Sequence, residues 1–297
     1  MRYLPLLLVA LALLGLAWLS RRSRLVSQTL LYGFLGLLAL TMLLPFFWMF
    51  VLSTHLTADI YTNPPPFWFG SNLAANYRAM NEAVNVGRSF FNSLLVATAH
   101  TSLVLLFCSM GGYAFSVYDF PGKRTLFAIV LATMMIPGIA GIIPWFFLIT
   151  KLGWINNFLA LIIPGAANAF GIFWMRQYCQ NNVPVSLMEA AKIDGCPEWR
   201  IFFRVVAPIL LPAYSALGIM QFVNVWNDFM VPMLVLRDAN MRTLPIMLSY
   251  MRGDPTRGTN LGAMMLASTL TVLPLLIAFL SASKYFMSGL TAGAIKE

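Results

Sequence analysis

SFFNSLLVATAHTSLVLLFCSMGGYAFSVY, residues 89–118, runs thirty residues without an Asp, Glu, Lys or Arg. A helix needs about 20 predominantly apolar residues to cross the hydrocarbon core of a bilayer, so this stretch alone implies a membrane span. Six further charge-free runs flank it: Tyr3–Ser20, Leu25–Ala58, Thr125–Thr150, Leu152–Met175, Val205–Asn227 and Gly258–Ser283. Runs of eighteen residues and more exceed a barrel strand and lack its alternation, which leaves helices. The composition agrees: 60% hydrophobic and 10% charged residues, against about 25% charged in soluble domains, exclude a soluble globular protein. The expected fold class is all-α, a polytopic integral membrane protein.

The net charge is +9. In a soluble chain this would suggest nucleic acid; here basic residues at the cytoplasmic ends of spans account for it, and no nucleic-acid partner is expected. The first run has only Arg2 before it, no small-residue cleavage site and the cluster Arg21, Arg22, Arg24 after it, so a retained span is expected rather than a signal peptide. With that cluster inside, the amino terminus lies outside, and the loops at 118–124 and 176–204 and the carboxyl tail are cytoplasmic. Eleven basic residues then fall inside and eight outside, the latter mostly in longer loops. Cys108, Cys179 and Cys196 are odd in number and lack metal-ligand spacing, so free thiols and no metal site are expected.

Between the second and third runs, Pro64-Pro65-Pro66-Phe67-Trp68-Phe69-Gly70 reads as an extended segment with headgroup-level aromatics closing the outer end of two helices. Pro137-Gly138, Gly141 and Pro144 interrupt the fourth run and Pro164-Gly165 the fifth, as broken helices beside a pathway or as kinks packed on neighbours. Asn224, Trp226, Asn227 and Asp228 put polar groups and an aromatic face in the outer half of the sixth run, about 30 Å of helix beyond Pro208 if that helix is continuous. This chemistry suits a sugar pathway, with helix packing as the equal alternative. No Gly-x-x-x-x-Gly-Lys-Ser/Thr phosphate loop, HExxH or GxSxG occurs, and the two histidines, His55 and His100, have no supporting signature. The chain is therefore expected to be no enzyme. Repeated carboxylates or a filter-like glycine run, as an ion-coupled carrier or channel would need, are missing too.

The cytoplasmic loop, residues 178–208, carries Val183-Pro-Val-Ser-Leu-Met-Glu189-Ala190-Ala191-Lys-Ile-Asp194-Gly195-Cys-Pro197-Glu198 and, further on, Val205-Val-Ala-Pro208. It reads as two short helices. Ser186 and Glu189 fit a capping box, Gly195 a left-handed stop, and Pro197 the start of the second helix. About eight residues of helix are marginal alone, so the element must dock: in a groove of another protein through the small Ala190 and Ala191, or on the chain's own helices.

Glu189-Ala190-Ala191, three residues, Gly195, nine residues, then Val205-x-Ala207-Pro208 resembles the EAA signature of binding-protein-dependent ABC importer permeases, with Val and Ala for the usual Ile and Leu. PPPFWFGSNLAANY (64–77), FPGKR (120–124), MIPGIAGIIPWFFLITKLGWINN (135–157), WND (226–228) and GLTAGAIKE (289–297) are similar to the carbohydrate branch of that family, on the side of the smaller maltose-type permease. The resemblance implies a six-helix core over 25–297 and one extra transmembrane helix over 1–24. It implies an inner-membrane importer of a sugar or oligosaccharide, or of a solute such as glycerol phosphate. The implied partners are a homologous second permease, an ATP-binding cassette ATPase dimer, an extracytoplasmic solute-binding protein and membrane lipid. ATP and Mg would be bound by the ATPase, leaving this chain without a cofactor. Glu189, Ala190, Ala191, Asp194, Gly195 and Pro208 would form the coupling helix and its flank. The tail with Thr291, Ala292 and Gly293 would reach the ATPase interface, and Asn168 would join the sugar pathway.

Overall fold

A computed structural model describes residues 24–252 and 260–291. The expected first span, Arg21, Arg22 and the tail residues Ala292 and Gly293 lie outside those residues. Among the described residues the ordered elements are helical. The second run forms α1 (Arg24–Leu52), with Pro45 inside it. After a short helix α2 (Thr57–Ile60) and the proline-aromatic segment comes α3 (Leu73–Ala83), and then α4 (Val86–Val117), the run that decides the fold.

α4 is the axis of the molecule. It packs against α8 (Ala169–Asn182), α12 (Leu211–Trp226) and α14 (Leu244–Arg252), while α15 (Leu261–Thr291, with Pro274 inside) packs on α1, α3 and α12. Small residues let α4 and α8 approach closely: a Cβ added at Gly112 would stand 2.6 Å from the Arg176 backbone nitrogen, and one at Gly171 2.6 Å from Cys108 Sγ. Close backbone approach of this kind replaces the hydrophobic driving force that helices lack in lipid. Cys108, Cys179 and Cys196 are free thiols.

The interrupted runs are broken. α5 (Lys123–Thr133) and α6 (Ile142–Lys151), the latter preceded by a 3₁₀ turn at Gly138–Gly141, meet at a 92° bend. The fifth run is not one helix either. Its first part holds only α7 (Leu159–Ile162), and Pro164-Gly165, with Gly165 at φ +78°, separates this from α8. The sixth run departs from a continuous helix as well. A π turn at Phe202–Val206 leads into the single turn α11 (Ala207–Ile209), and the chain bends by 79° before α12. By length and composition α1, from Gln28, and α4 can each cross a membrane alone, and each bent pair can be one further span.

The proline-aromatic segment folds back on the end of α1. Trp48 near the end of α1 stacks on Phe67 with centroids 5.2 Å apart and donates from Nε1 to Pro66 O at 2.9 Å. The opposite end of α4 carries the 178–208 loop, so one uninterrupted helix joins the two ends.

Candidate functional site: the 178–208 loop and a cavity at the opposite end

The loop folds as α9 (Val185–Ile193) and α10 (Glu198–Ile201). The expected capping box does not form. Pro184, extended at φ −66° and ψ 130°, occupies the N-cap, so Ser186 already lies inside the helix and no side chain caps it. The stop does form. Gly195 adopts φ +74°, its N–H donates to Lys192 O and the Cys196 N–H to Ala191 O, both at 3.0 Å, which is the Schellman pair. Pro197 takes the N-cap of α10, and its carbonyl accepts from the Arg200 and Ile201 N–H groups.

Met188, Ile201 and Phe202 point inward and pack with Tyr113, Cys179 and Val183, which seats the loop on the ends of α4 and α8. Ala191 sits partly buried on the same cluster, so of the two alanines only Ala190 faces outward. Glu189, Asp194, Gly195 and Pro208 are exposed. Around them lie apolar side chains that the sequence did not single out: Val185, Leu187, Trp199, Phe203 and above all Ile193, which is 86% exposed. Sequence reading also missed Glu198, which staples the loop. Lys192 Nζ reaches its Oε1 at 2.8 Å, and Tyr118, at the C-cap of α4, donates from its hydroxyl to Oε2. Lys192 and Tyr118 hold the Glu198 carboxyl below the usual carboxylate range, and the same carboxylate raises Lys192. The Tyr118 hydroxyl is raised by burial and by its bond to Glu198.

At the other end, a cavity of about 370 Å³ opens between α4, the 3₁₀ turn and α6. Ser93 and His100 of α4, Trp145 of α6, Asp228 and Thr243 line it, with Gly138 and Gly141 at the break of the bent pair. Asp228 lies just before α13 (Met230–Val235), and its Oδ1 accepts from the Met230 and Val231 N–H groups at 3.1 and 3.3 Å. His100 Nδ1 pairs with Ile162 O at 3.0 Å. Thr243 is 4% exposed, and its hydroxyl is one of three buried side-chain polar atoms without a partner among the described residues.

The other expected pathway residues behave differently. Trp226 is 1% exposed, packed edge-on against Phe90 and stacked on Phe222, and its Nε1 donates to Thr271 O at 3.2 Å. It has no open face for a sugar ring. Asn168 caps α8, accepting from the Gly171 N–H at 2.8 Å. Asn224 and Asn227 are exposed, and Asn227 Nδ2 donates to Val223 O one turn back. Only Asp228 of the five lines the cavity. Thr291 is the last residue of α15.

Residues 109–291 match the model of the family described as "Binding-protein-dependent transport system inner membrane component". The chain is 41% identical over 207 residues to the arabinooligosaccharides transport system permease protein AraQ of Bacillus subtilis (strain 168), covering 70% of this chain and 73% of that one. It is 32% identical to the lactose transport system permease protein LacG of Rhizobium radiobacter, covering 89% and 95%. Among solved structures, a chain of a bacterial ABC transporter involved in import of the acidic polysaccharide alginate superposes with a TM-score of 0.77 at 24% identity, over 89% of this chain and 98% of that one. The family model spans more than half of the chain, including the whole 178–208 loop, and so the chain belongs to the inner membrane components of binding-protein-dependent transport systems, a membrane transport subunit rather than an enzyme.

Proposed function

We propose that this chain is the permease subunit of an ATP-driven carbohydrate importer, in which α9 is the helix that couples ATP hydrolysis by a separate ATPase to transport. The observation that carries the reading is the loop geometry. A stopped, stapled pair of short helices is seated on the end of α4 and presents Ile193, Val185, Leu187 and Trp199 outward. A surface of that kind on a rigid element is what a partner groove requires. The sugar class is supported by the arabinooligosaccharide and lactose permeases among the relatives. ATP and Mg belong to the ATPase dimer in this reading, and a homologous second permease completes the pathway. An extracytoplasmic binding protein delivers the sugar.

The reading places the 178–208 loop in the cytoplasm and the cavity toward the outside, with residue 1 outside. It puts the sugar pathway beside Asp228, His100, Trp145 and Thr243, with Asn224 and Asn227 on the neighbouring outward surface and Trp226 and Asn168 serving as supports. Carboxylate, imidazole and hydroxyl beside an indole are the groups that hold a sugar's hydroxyls and its C–H face.

Reconstitution tests it. The chain, its partner permease, the ATPase and the binding protein in proteoliposomes should accumulate labelled oligosaccharide only with ATP on the loop side. A cysteine placed after Glu297 should be shielded from an impermeant thiol reagent applied to cells, whereas one placed before Arg2 should react. Uptake without ATP, or the reverse labelling, would overturn the assignment.

A further inference from the structure

At the loop end of the bundle a second pocket of about 380 Å³ lies between the α4–α5 turn, α5 and α8. Its polar rim is Lys123, Arg124 and Arg176, with the single carboxylate of Asp119. Its inner wall is apolar, formed by Phe127, Ala128 and Leu131 along one stripe of α5. Asp119 offsets only one of the three cations, through a 3.2 Å ion pair with Lys123. Arg176 is held in place from behind: its Nε donates to Phe115 O at 3.3 Å, its Nη1 to Gln177 Oε1 at 3.4 Å, and the guanidinium lies 4.2 Å from the centre of the Phe127 ring. Arg124 is exposed, with its charge unopposed by any ion pair among the described residues. α5 has Gly122 at its N-cap, no capping side chain and no acidic residue in its first turn, so its dipole adds to the positive field.

The ligand this arrangement fits must be anionic at one end and apolar along the other. The cations sit where the apolar α5 begins, at the same end of the bundle as Tyr118, and the apolar stripe continues from there along the helix; with the bent pair in a bilayer, that arrangement sets the charges toward the headgroups and the stripe toward the acyl chains. A soluble phosphate would leave that wall without a partner. A basic pocket between helices at a membrane surface is the form that headgroup sites take. We propose that this pocket binds the phosphate of an anionic phospholipid, with an acyl chain along Phe127, Ala128 and Leu131. The lipid would thereby clamp α5, the first half of the bent pair, to α8, from which the 178–208 loop departs. The proposal uses the family assignment only to make the surrounding medium a membrane, and it does not depend on the transported solute.

The test uses the purified full transporter in nanodiscs of phosphatidylcholine doped with phosphatidylglycerol, with retained lipid read by native mass spectrometry. Wild type should retain phosphatidylglycerol in preference to phosphatidylcholine. Arg124→Gln should weaken that preference about fivefold, and adding Arg176→Gln about fivefold again, since each basic group near an anionic surface contributes by that factor. Because Arg176 also packs on Phe127, the variant Ala128→Phe fills the wall with all charges kept, and it should lose the lipid too. Lys151→Gln, at the far end of the bent pair, should change nothing. Equal retention by wild type and Arg124→Gln overturns the proposal. So does displacement of the lipid by inorganic phosphate at comparable affinity, which would mark a free-phosphate site. Retention only after this chain is stripped of its partners also overturns it, because the pocket would then be covered by protein in the assembly.

Discussion

Gly195→Ala is the sharpest perturbation of the 178–208 loop in its proposed coupling role. Gly195 sits at φ +74°, and nothing lies within 4 Å of the position a Cβ would take. The substitution therefore adds no collision within the chain, and its cost is purely conformational. An L residue in the left-handed region pays roughly 1–2 kcal/mol, and Asn much less. If the loop relaxes instead, it loses the bonds from Gly195 N–H to Lys192 O and from Cys196 N–H to Ala191 O that end α9, and Ile193 and Glu198 leave their positions. Relative to that relaxed loop, the strained docking-competent loop becomes scarcer by a factor of about 5 to 30, since 1.4 kcal/mol is tenfold. The apparent affinity for the ATPase falls by the same factor. The measurement is dissociation of the ATPase from the reconstituted complex, with ATPase activity stimulated by the loaded binding protein as a second reading. Gly195→Ala should lose 5- to 30-fold, Gly195→Asn less than threefold, and membrane insertion should be unchanged for both. If both variants bind like wild type, the left-handed stop does not limit docking. If both fail equally, the side chain collides with the partner and the conformational argument is wrong.

Ile193→Ser removes the most exposed apolar side chain of the loop; burying an isoleucine is worth about 1.5–3 kcal/mol, so ATPase attachment should weaken about 10- to 150-fold while the isolated chain keeps its melting temperature. Asp228→Asn keeps an oxygen for the Met230 and Val231 N–H groups but removes the charge at the cavity, so uptake should fall while stimulated ATPase activity survives; Asp228→Ala should also cost about 1 kcal/mol of stability through the lost cap. Joint loss of uptake, ATPase activity and stability in Asp228→Asn would assign Asp228 to packing alone. The Glu198 pair sets a pH window by sign. The lowered carboxyl contributes stability above the ordinary carboxylate range and loses it as pH falls through its depressed value; the raised Lys192 contributes below the ordinary lysine range and loses it only as pH rises through its elevated value. ATPase attachment should thus be flat between about pH 6 and 9, and a titration inside that window would show that another group controls the loop.

How far the sequence was legible depended on whether the deciding feature was local. The apolar runs that became α1 and α4 and the left-handed stop at Gly195 each rest on residues within one element. The start of α9 was misplaced because Ser186 and Glu189 have capping-box spacing, yet Pro184 fixes an extended backbone two residues earlier and the helix begins there. The bend at Leu210 has its cause in Pro208 and Pro212, whose missing N–H groups and rings break the ladder of a continuous helix, and the run's uniform apolarity concealed it. Trp226 could not be placed because a helical wheel does not say which face meets a neighbour; Phe90, 136 residues earlier, is what closes over it. Glu198 escaped for a similar reason. Its partners Lys192 and Tyr118 come from another helix and another turn, outside any i, i+4 pattern.

Those nonlocal contacts decide how a signal can pass through the chain. α4 runs unbroken for 32 residues, about 48 Å of helix. At one end Tyr113 packs on the loop's core and Tyr118 holds Glu198; toward the other, Ser93, Val96 and His100 line the cavity. The two neighbouring bent pairs break at 134–137 and at Leu210, so they can change angle where α4 cannot. In the proposed coupling, a displacement of α9 by a partner would pass along α4 as a rigid movement, and the breaks at 134–137 and Leu210 are where the cavity would open or close. Bistable packing, with one stiff element and flanking breaks, is what converts small shifts at a docking site into two discrete states. Disconnecting the loop from α4 without unfolding it should then separate the two activities. Tyr118→Phe removes the hydroxyl bond to Glu198 and leaves the ring against Tyr113. ATP hydrolysis that persists while sugar uptake falls is the signature of that severed link.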